Sequence, residues 1–243
     1  MDALGTSFFW VTLAQIVLIN IVLSGDNAVV IAMASRSLPR RQQRQAILFG
    51  SLGAIVLRIV LTFFAVMLLD LPYLRLAGAL LLLWIGVKML CEDGDDAALD
   101  ASEHLWGAIR TIIVADFIMS LDNVLGVAAA AKGNLLLLVI GLALSIPLII
   151  YGSTLILALM VRFPIIVAAG GGVLGWVAGE MLVSDPAFVV WIERHAHFLH
   201  VVMPVLGAAL VVGIGTLLAR RARARKTEVV EDDVVASPGP GDR

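Results

Sequence analysis

The stretch VLINIVLSGDNAVVIAMA, from Val17 to Ala34, is apolar along almost its whole length but carries the adjacent pair Asp26 and Asn27 near its centre. A second stretch, TIIVADFIMSLDNVLGVAAAA from Thr111 to Ala131, repeats this character. It contains the Asp-Asn pair again, and in both copies a serine stands two residues before the aspartate. Because about 20 apolar residues are enough to cross a bilayer, both stretches predict membrane-spanning helices with polar groups at bilayer depth.

The composition of the whole chain agrees with a membrane protein. Its 243 residues are 60% hydrophobic, against about 45–50% in soluble domains, and the apolar residues fall in long blocks. Backbone groups must be paired inside lipid, so each block is predicted to be a helix. We therefore predict an all-α, polytopic membrane protein with seven transmembrane helices. The predicted spans are Phe8–Ser35, Ala46–Leu69, Pro72–Leu90, Ala108–Ala131, Leu135–Met160, Ile165–Val183 and Leu199–Ala219.

Basic residues indicate the orientation of these spans. The loop RSLPRRQQR (36–44) and the segment RRARARK (220–226) hold most of the arginines, and such segments favour the cytoplasmic side. Seven spans place both segments on that side and the N-terminus outside. We expect no cleaved signal peptide, because no basic region precedes the first block. Residues 1–219 are predicted to form one transmembrane domain, and the basic, then acidic, tail 220–243 is predicted to be disordered.

The chain also repeats itself. A shift of 96 residues superimposes Asp26-Asn27 on Asp122-Asn123, and a shift of 92 superimposes Trp84 on Trp176. The second shift also aligns Pro72 with Pro164 and Gly78 with Gly170. This pattern predicts two three-helix repeats, about residues 8–90 and 108–183, followed by a seventh helix at about 199–219. Repeats with an odd number of spans have opposite orientations, and inverted repeats around a central site are typical of transporters.

Ionisable side chains at bilayer depth are costly and usually mark function. By helical periodicity Asn20, Ser24 and Asn27 share one face, as do Asp116, Ser120 and Asn123. Gly25 favours a local break in the first copy, whereas Leu121 gives no such help in the second. The aspartates could instead only hold helices together by hydrogen bonds. The predicted metal ligands are Asp26, Asn27, Asp116, Asp122 and Asn123, with Asn20, Ser24, Ser120, Arg58, Glu180 and Lys88 in supporting positions.

These groups present oxygen atoms, which suit Mg²⁺, Mn²⁺ or Ca²⁺ better than Cu⁺ or Zn²⁺. Arg58 lies in mid-span and is interpreted as a counter-ion for one aspartate, the alternative being that it reaches a lipid headgroup. Lys88 and Glu180 occupy equivalent repeat positions and could form an ion pair or gate, or simply be solvated at helix ends. His195, His197 and His200 could collect metal ions, although a solvated loop is the interpretation we favour.

The motifs quoted above resemble those of the TerC family of integral membrane proteins, and most closely its YjbE-type branch. The matching stretches are LINIVLSGDNAVVIAMASRSLP, PYLRLAGALLLLWIGVKML, ADFIMSLDNVLGVAAAAKGN and GLALSIPLIIYGS, within about residues 10–183. The resemblance implies export of manganese across the bacterial inner membrane. In much of the family an acidic residue stands four positions before the first serine. Here that position is Asn20, while the second copy keeps Asp116, so the charge of the site differs.

The sequence therefore favours a non-enzymatic exporter of a divalent cation, Mn²⁺ above others, that works by alternating access. Its expected partners are the metal ion and the lipid bilayer, with no resident cofactor and no nucleic acid. Two alternatives remain open at this point. One is an accessory membrane protein that delivers metal to secreted enzymes. The other is an intramembrane aspartyl protease. The SGDN and SLDN motifs argue against it, because they lack the Gly-x-Gly-Asp pattern that is typical of such proteases.

Overall fold

The computed structural model describes residues 7–22, 25–69, 71–91, 101–131 and 135–236, and within these ranges the chain forms α-helices and no β-strand. The all-α prediction is confirmed for this part of the chain. The helices are α1 (Ser7–Val22), α2 (Gly25–Ser35), α3 (Arg40–Leu69), α4 (Leu74–Cys91), α5 (Ala101–Ala131), α6 (Leu135–Arg162), α7 (Ile165–Ser184), α8 (Val189–His195) and α9 (Leu199–Ala236).

Six of these helices, α3, α4, α5, α6, α7 and α9, are long and apolar enough to span a bilayer. The chain is therefore an integral, multi-pass membrane protein. The first predicted span corresponds to α1 and α2, which have 16 and 11 residues. Each is shorter than the ~20 residues that a single crossing needs, so a seventh span would require α1 and α2 to cross together.

Large apolar side chains cover the outside of the bundle. Val56 on α3 is 62% exposed, and Tyr151 and Leu155 on α6 are 77% and 63% exposed. A soluble monomer rarely exposes a contiguous apolar surface beyond a few hundred Å². In a bilayer the same side chains face lipid tails and cost nothing, so this surface agrees with a transmembrane bundle.

The two copies of the Asp-Asn motif lie in α2 and α5. In the first copy α1 ends at Val22 and α2 begins at Gly25, while residues 23–24 lie outside the described part. In the second copy α5 is one helix from Ala101 to Ala131, which includes Asp122.

Helices α3 and α5 pack side by side and run in the same direction. Gly50 lies against the side chain of Ile112, and one turn later Gly53 lies against Ile113. Both positions lack a β-carbon, which would stand within 3 Å of these isoleucine side chains. The glycines therefore allow α3 to approach α5 closely, and this approach sets the spacing at the polar positions further along both helices.

Helices α4 and α7 pack antiparallel at the centre of the bundle. Gly78 at the start of α4 lies against Met181 near the end of α7, whereas Leu90 at the end of α4 lies against Gly171 near the start of α7. Leu82, Leu174 and Ala178 on these helices have no exposed surface. The pair belongs to one apolar core with parts of α2, α3, α5, α6 and α9.

Helix α7 makes backbone contact with α9 through Gly175 and Gly179. A β-carbon at Gly175 would collide with the backbone of Gly207, and one at Gly179 would collide with the backbone of Met203. Spacing of small residues by four positions is a common device for close helix packing in membranes, where lipid supplies no hydrophobic force between helices.

Beyond its membrane span, α9 continues as a helix to Ala236, where the sequence predicted a disordered tail. The segment 220–236 contains four Arg, three Ala, two Glu and one Lys, and it has no Gly or Pro. These residues have favourable helix propensities, and a helix that is already formed extends with little further cost. Residues 237–243 lie outside the described part of the chain.

Asp185 joins the ends of α4 and α7 and was not anticipated from the sequence. Its side chain is completely buried. Its Oδ1 accepts the backbone N–H groups of Tyr73 and Ala187, each at 2.9 Å, and its Oδ2 accepts that of Leu76 at 3.0 Å. The carboxylate thereby caps the N-terminus of α4, where the first N–H groups have no partner within the helix.

Candidate functional site

The best-defined polar contact inside the bundle joins α3 to α5. Arg58 is 2% exposed and its Nη2 donates to Oδ1 of Asp116 at 2.7 Å. Its Nε donates to the hydroxyl of Ser120 at 3.0 Å, and that hydroxyl donates to Oδ2 of Asp116 at 3.0 Å. Asp116 and Ser120 meet one arginine because they are four residues apart on one face of α5. Each carboxylate oxygen of Asp116 already accepts one hydrogen bond.

Asn27, in the first turn of α2, carries a buried side-chain amide. Its side chain is 2% exposed, and neither Nδ2 nor Oδ1 has a hydrogen-bond partner among the described residues. Leaving such a group unsatisfied costs about 1–3 kcal/mol, and buried polar groups in proteins are overwhelmingly paired. The amide oxygen is therefore available to a cation, and both polar atoms of the amide are available to a water that the cation coordinates.

Asp26 lies next to Asn27 and is partly buried. Its Oδ1 accepts the backbone N–H of Asn27 at 2.8 Å. The carboxylate also interacts electrostatically with Arg58 and Asp116. The beginning of α2 therefore lies within electrostatic range of the contact between α3 and α5, and the three charged side chains act on one another.

Ser51 is a further buried polar residue, which the motifs in the sequence do not single out. It is 1% exposed, and its hydroxyl has no hydrogen-bond partner among the described residues. It lies two turns before Arg58 on the same face of α3. A serine in an otherwise apolar span was the available signal, but serine is common in membrane helices and its sequence position alone does not show which way it faces.

The side chains of four predicted site residues lie outside the described part of the chain. The backbones of Asp122 and Asn123 belong to α5 and that of Asn20 belongs to α1, while Ser24 lies between α1 and α2. The structure thus brings together Arg58, Asp116 and Ser120, with Asp26 within electrostatic range. The roles of the remaining four residues stay predictions.

Lys88 and Glu180 do not meet, although they occupy equivalent repeat positions. Both are exposed, and because α4 and α7 are antiparallel they lie towards opposite ends of this pair. Nζ of Lys88 lies 5.5 Å from the ring centre of Trp84, whereas Glu180 accepts the Nε1–H of Trp176 at 2.8 Å. Each charge is therefore placed against the tryptophan four residues before it rather than against the other.

The histidines on the predicted outer side do not converge on one point. The ring of His195 stacks on Trp191 at 5.4 Å, while His197 and His200 lie 5.3 Å apart. Among the described residues no group of three or more His, Cys, Asp or Glu side chains could hold a metal ion. Any cation site in this protein must therefore include neutral oxygen atoms or side chains beyond those described, such as that of Asp122.

Fold and site together define a multi-pass membrane protein with a charged, buried contact at its centre. The family model described as the integral membrane protein TerC family matches residues 6–225. The chain belongs to this family. No solved structure matches the chain.

Its curated relatives are membrane proteins as well. The chain is 45% identical over 204 residues to the uncharacterized membrane protein YjbE of Bacillus subtilis. The aligned region covers 84% of this chain and 93% of YjbE. It is 24% identical to the uncharacterized membrane protein YkoY of the same organism, over 82% of this chain and 68% of YkoY. It is 25% identical to the UPF0053 inner membrane protein YgdQ of Escherichia coli, over 64% of this chain and 73% of YgdQ.

Proposed function

We propose that this protein is a transporter that exports a divalent cation, with Mn²⁺ as the expected substrate, across the bacterial inner membrane. The observation that carries the proposal is the buried Arg58–Asp116–Ser120 contact with Asp26 in electrostatic range. Next to Asp26, the amide of Asn27 has no hydrogen-bond partner among the described residues. Charged groups are placed inside membrane helices at high cost and mark substrate or ion pathways. No enzymatic step forms part of the proposal.

The oxygen chemistry of these residues supports a hard or borderline cation. Carboxylates, an amide and hydroxyls are the available groups, and the described transmembrane interior contributes no histidine cluster. Mn²⁺ is bound well by carboxylate and carbonyl oxygens. Asp26, Asn27, Asp122 and Asn123 are proposed as its ligands, with Ser24 and Ser120 supporting them. Asp116, which the sequence also predicts as a ligand, is proposed to contribute charge instead, because its two oxygens accept hydrogen bonds from Arg58 and Ser120.

Alternating access is part of the proposal, because the packing supports two inverted repeats. Gly50 of α3, in the first unit, lies against Ile112 of α5, in the second unit. Likewise, Gly141 of α6, in the second unit, lies against Ile16 of α1, in the first unit. Ile16 and Ile112 are equivalent in the 96-residue shift, so the second helix of each unit packs on the same position of the other unit. The antiparallel contact between α4 and α7 also fits a two-fold axis in the membrane plane.

Measurement of Mn²⁺ flux in membrane vesicles tests the function. We expect Asp26→Asn to reduce flux to background at matched protein level, because it removes one of the charges that compensate a desolvated cation. A loss well above tenfold in affinity corresponds to more than about 1.4 kcal/mol. Asp122→Asn should behave alike. The matched control is Glu193→Gln, an acid-to-amide change at an exposed position of α8. Near-normal flux in both aspartate variants would return these residues to a structural role.

A further inference from the structure

Arg58 and Asp116 form a charge pair that has no counterpart at the equivalent positions of the two repeats. Asp116 corresponds to Asn20 in the 96-residue shift. Alignment of Gly50 with Gly141, which make equivalent contacts, places Arg58 opposite Ile149. The acid and the base are thus both replaced by uncharged residues in the matching half. Two charges that are present together and absent together in equivalent positions indicate that they compensate each other.

The geometry shows how this compensation is achieved. Oδ1 of Asp116 accepts a hydrogen bond from Nη2 of Arg58, and Oδ2 accepts one from the Ser120 hydroxyl. The Ser120 hydroxyl in turn accepts a hydrogen bond from Nε of Arg58. The side chains of Arg58 and Asp116 are 3% and 8% exposed. At this burial water screens the charges weakly, and a unit charge acts strongly on its neighbours. Asp26 interacts with both members of the pair, so a cation at Asp26 is attracted by Asp116 and repelled by Arg58.

We propose that Arg58 is a tethered cation that neutralises Asp116 and thereby sets the affinity of the transport site, an inference that rests on the proposed function. With both charges present, the described groups around Asp26 carry a net charge of −1. Without Arg58 the charge is −2, and without Asp116 it is zero. A transporter must bind its ion well enough to load and weakly enough to release it. The pair holds the site between these limits.

The experiment is a double-mutant cycle read by binding of Mn²⁺ alone to the purified full-length protein in detergent. Loss of the free Mn²⁺ signal in electron paramagnetic resonance reports binding. Arg58→Ile should tighten the apparent Kd by about tenfold or more, and Asp116→Asn should weaken it by a similar factor, as expected for an added or removed buried charge. The double variant, which carries the neutral residues of the other repeat, should return to within about threefold of wild type.

Two further variants keep the test decisive. Arg58→Gln makes the same change in charge and retains hydrogen-bonding capacity, and it replaces Arg58→Ile if that variant does not fold. Arg44→Gln removes a positive charge from an exposed position of the same helix and should leave the Kd unchanged.

The possible outcomes separate this inference from the function on which it rests. If wild type does not bind Mn²⁺, the proposed function fails and this inference fails with it. If wild type binds but the two single variants shift the Kd in the same direction or not at all, only the charge-balance proposal is overturned. A double variant that binds as weakly as Asp116→Asn overturns it too, since Asp116 would then be a direct ligand.

Discussion

At the scale of single residues, the hydrogen bonding of Asn27 distinguishes a binding role from a structural role. A structural asparagine has partners in the protein itself, but both polar atoms of this amide are without a partner among the described residues. Burial without a partner destabilises the protein by about 1–3 kcal/mol. Such a cost is expected where a residue serves a ligand rather than the fold.

We expect Asn27→Leu to leave thermal stability without metal unchanged or raised by about 1 kcal/mol, because it replaces an unsatisfied amide by an apolar group of similar branching. Stabilisation by Mn²⁺ should disappear, since bound ligand stabilises only the protein that binds it. Thermal unfolding in detergent with and without Mn²⁺ measures both effects. Ser153→Ala is the control, because the buried Ser153 hydroxyl is already bonded to the carbonyl of Ile149. A clear loss of stability in metal-free Asn27→Leu would indicate a structural role instead.

Asp185 makes a prediction about pH. Burial alone would raise the pKa of this carboxyl, but the N–H groups of Ala187, Tyr73 and Leu76, together with the charge of Arg75, bring it below its usual 3.8. A lowered pKa in the folded state means that the carboxylate stabilises the protein above about pH 4 and ceases to do so as the pH falls through the lowered value.

Asp185→Asn should therefore cost about 1–3 kcal/mol at pH 7, since an amide nitrogen replaces one carboxylate oxygen and at least one buried N–H group loses its acceptor. It should also flatten the loss of stability between pH 5 and pH 3. Unfolding curves of wild type and variant across this range measure the effect, with the exposed Glu193→Gln as control. An Asp185→Asn protein with the wild-type pH profile would show that the contact contributes nothing.

At the scale of elements, the contact between α7 and α9 is the most sensitive to added volume. We expect Gly175→Ala and Gly179→Ala each to destabilise the protein by about 1–3 kcal/mol, because the new methyl group meets backbone, which cannot rotate away. Gly213→Ala on α9 is the matched control, since no atom lies within 4 Å of its added β-carbon. It should be neutral or stabilising by up to about 1 kcal/mol. Equal melting temperatures for all three variants would contradict the close contact.

The positions of the helices could be read from the sequence, and most of their side-chain partners could not. The spans predicted at Leu135–Met160 and Ile165–Val183 are observed as Leu135–Arg162 and Ile165–Ser184, because bilayer thickness fixes the length of an apolar run. The pairing of Arg58 with Asp116 depends on which helix lies beside α3, which no local pattern specifies. The cap that Asp185 gives to α4 joins positions more than a hundred residues apart, and the sequence analysis missed it for the same reason.

At the scale of the whole molecule, the number of membrane crossings depends on whether α1 and α2 cross together. Both helices follow α6 in one direction, since Ile16 of α1 lies against Gly141 and Ala28 of α2 lies near Gly152. Nη2 of Arg36, just after α2, donates to the carbonyl of Met89 at the end of α4 at 2.9 Å. At about 1.5 Å per residue, α1 alone is shorter than the ~30 Å hydrocarbon core, but the two in line exceed it. This arrangement favours a seventh crossing.

The N-terminus decides this question, because six spans lie between Arg44 and Arg221 and place these two residues on one side whether or not α1 and α2 cross. We expect an N-terminal epitope tag to be accessible in intact cells, together with a cysteine introduced at Glu193. Cysteines at Arg44 and Arg221 should react with an impermeant thiol reagent only after permeabilisation, in a Cys91→Ser background. A tag protected in intact cells would leave six spans and place the first unit's motif on a hairpin. Opposite sides for Arg44 and Arg221 would exclude the inverted repeat, and with it the symmetric site that alternating access requires.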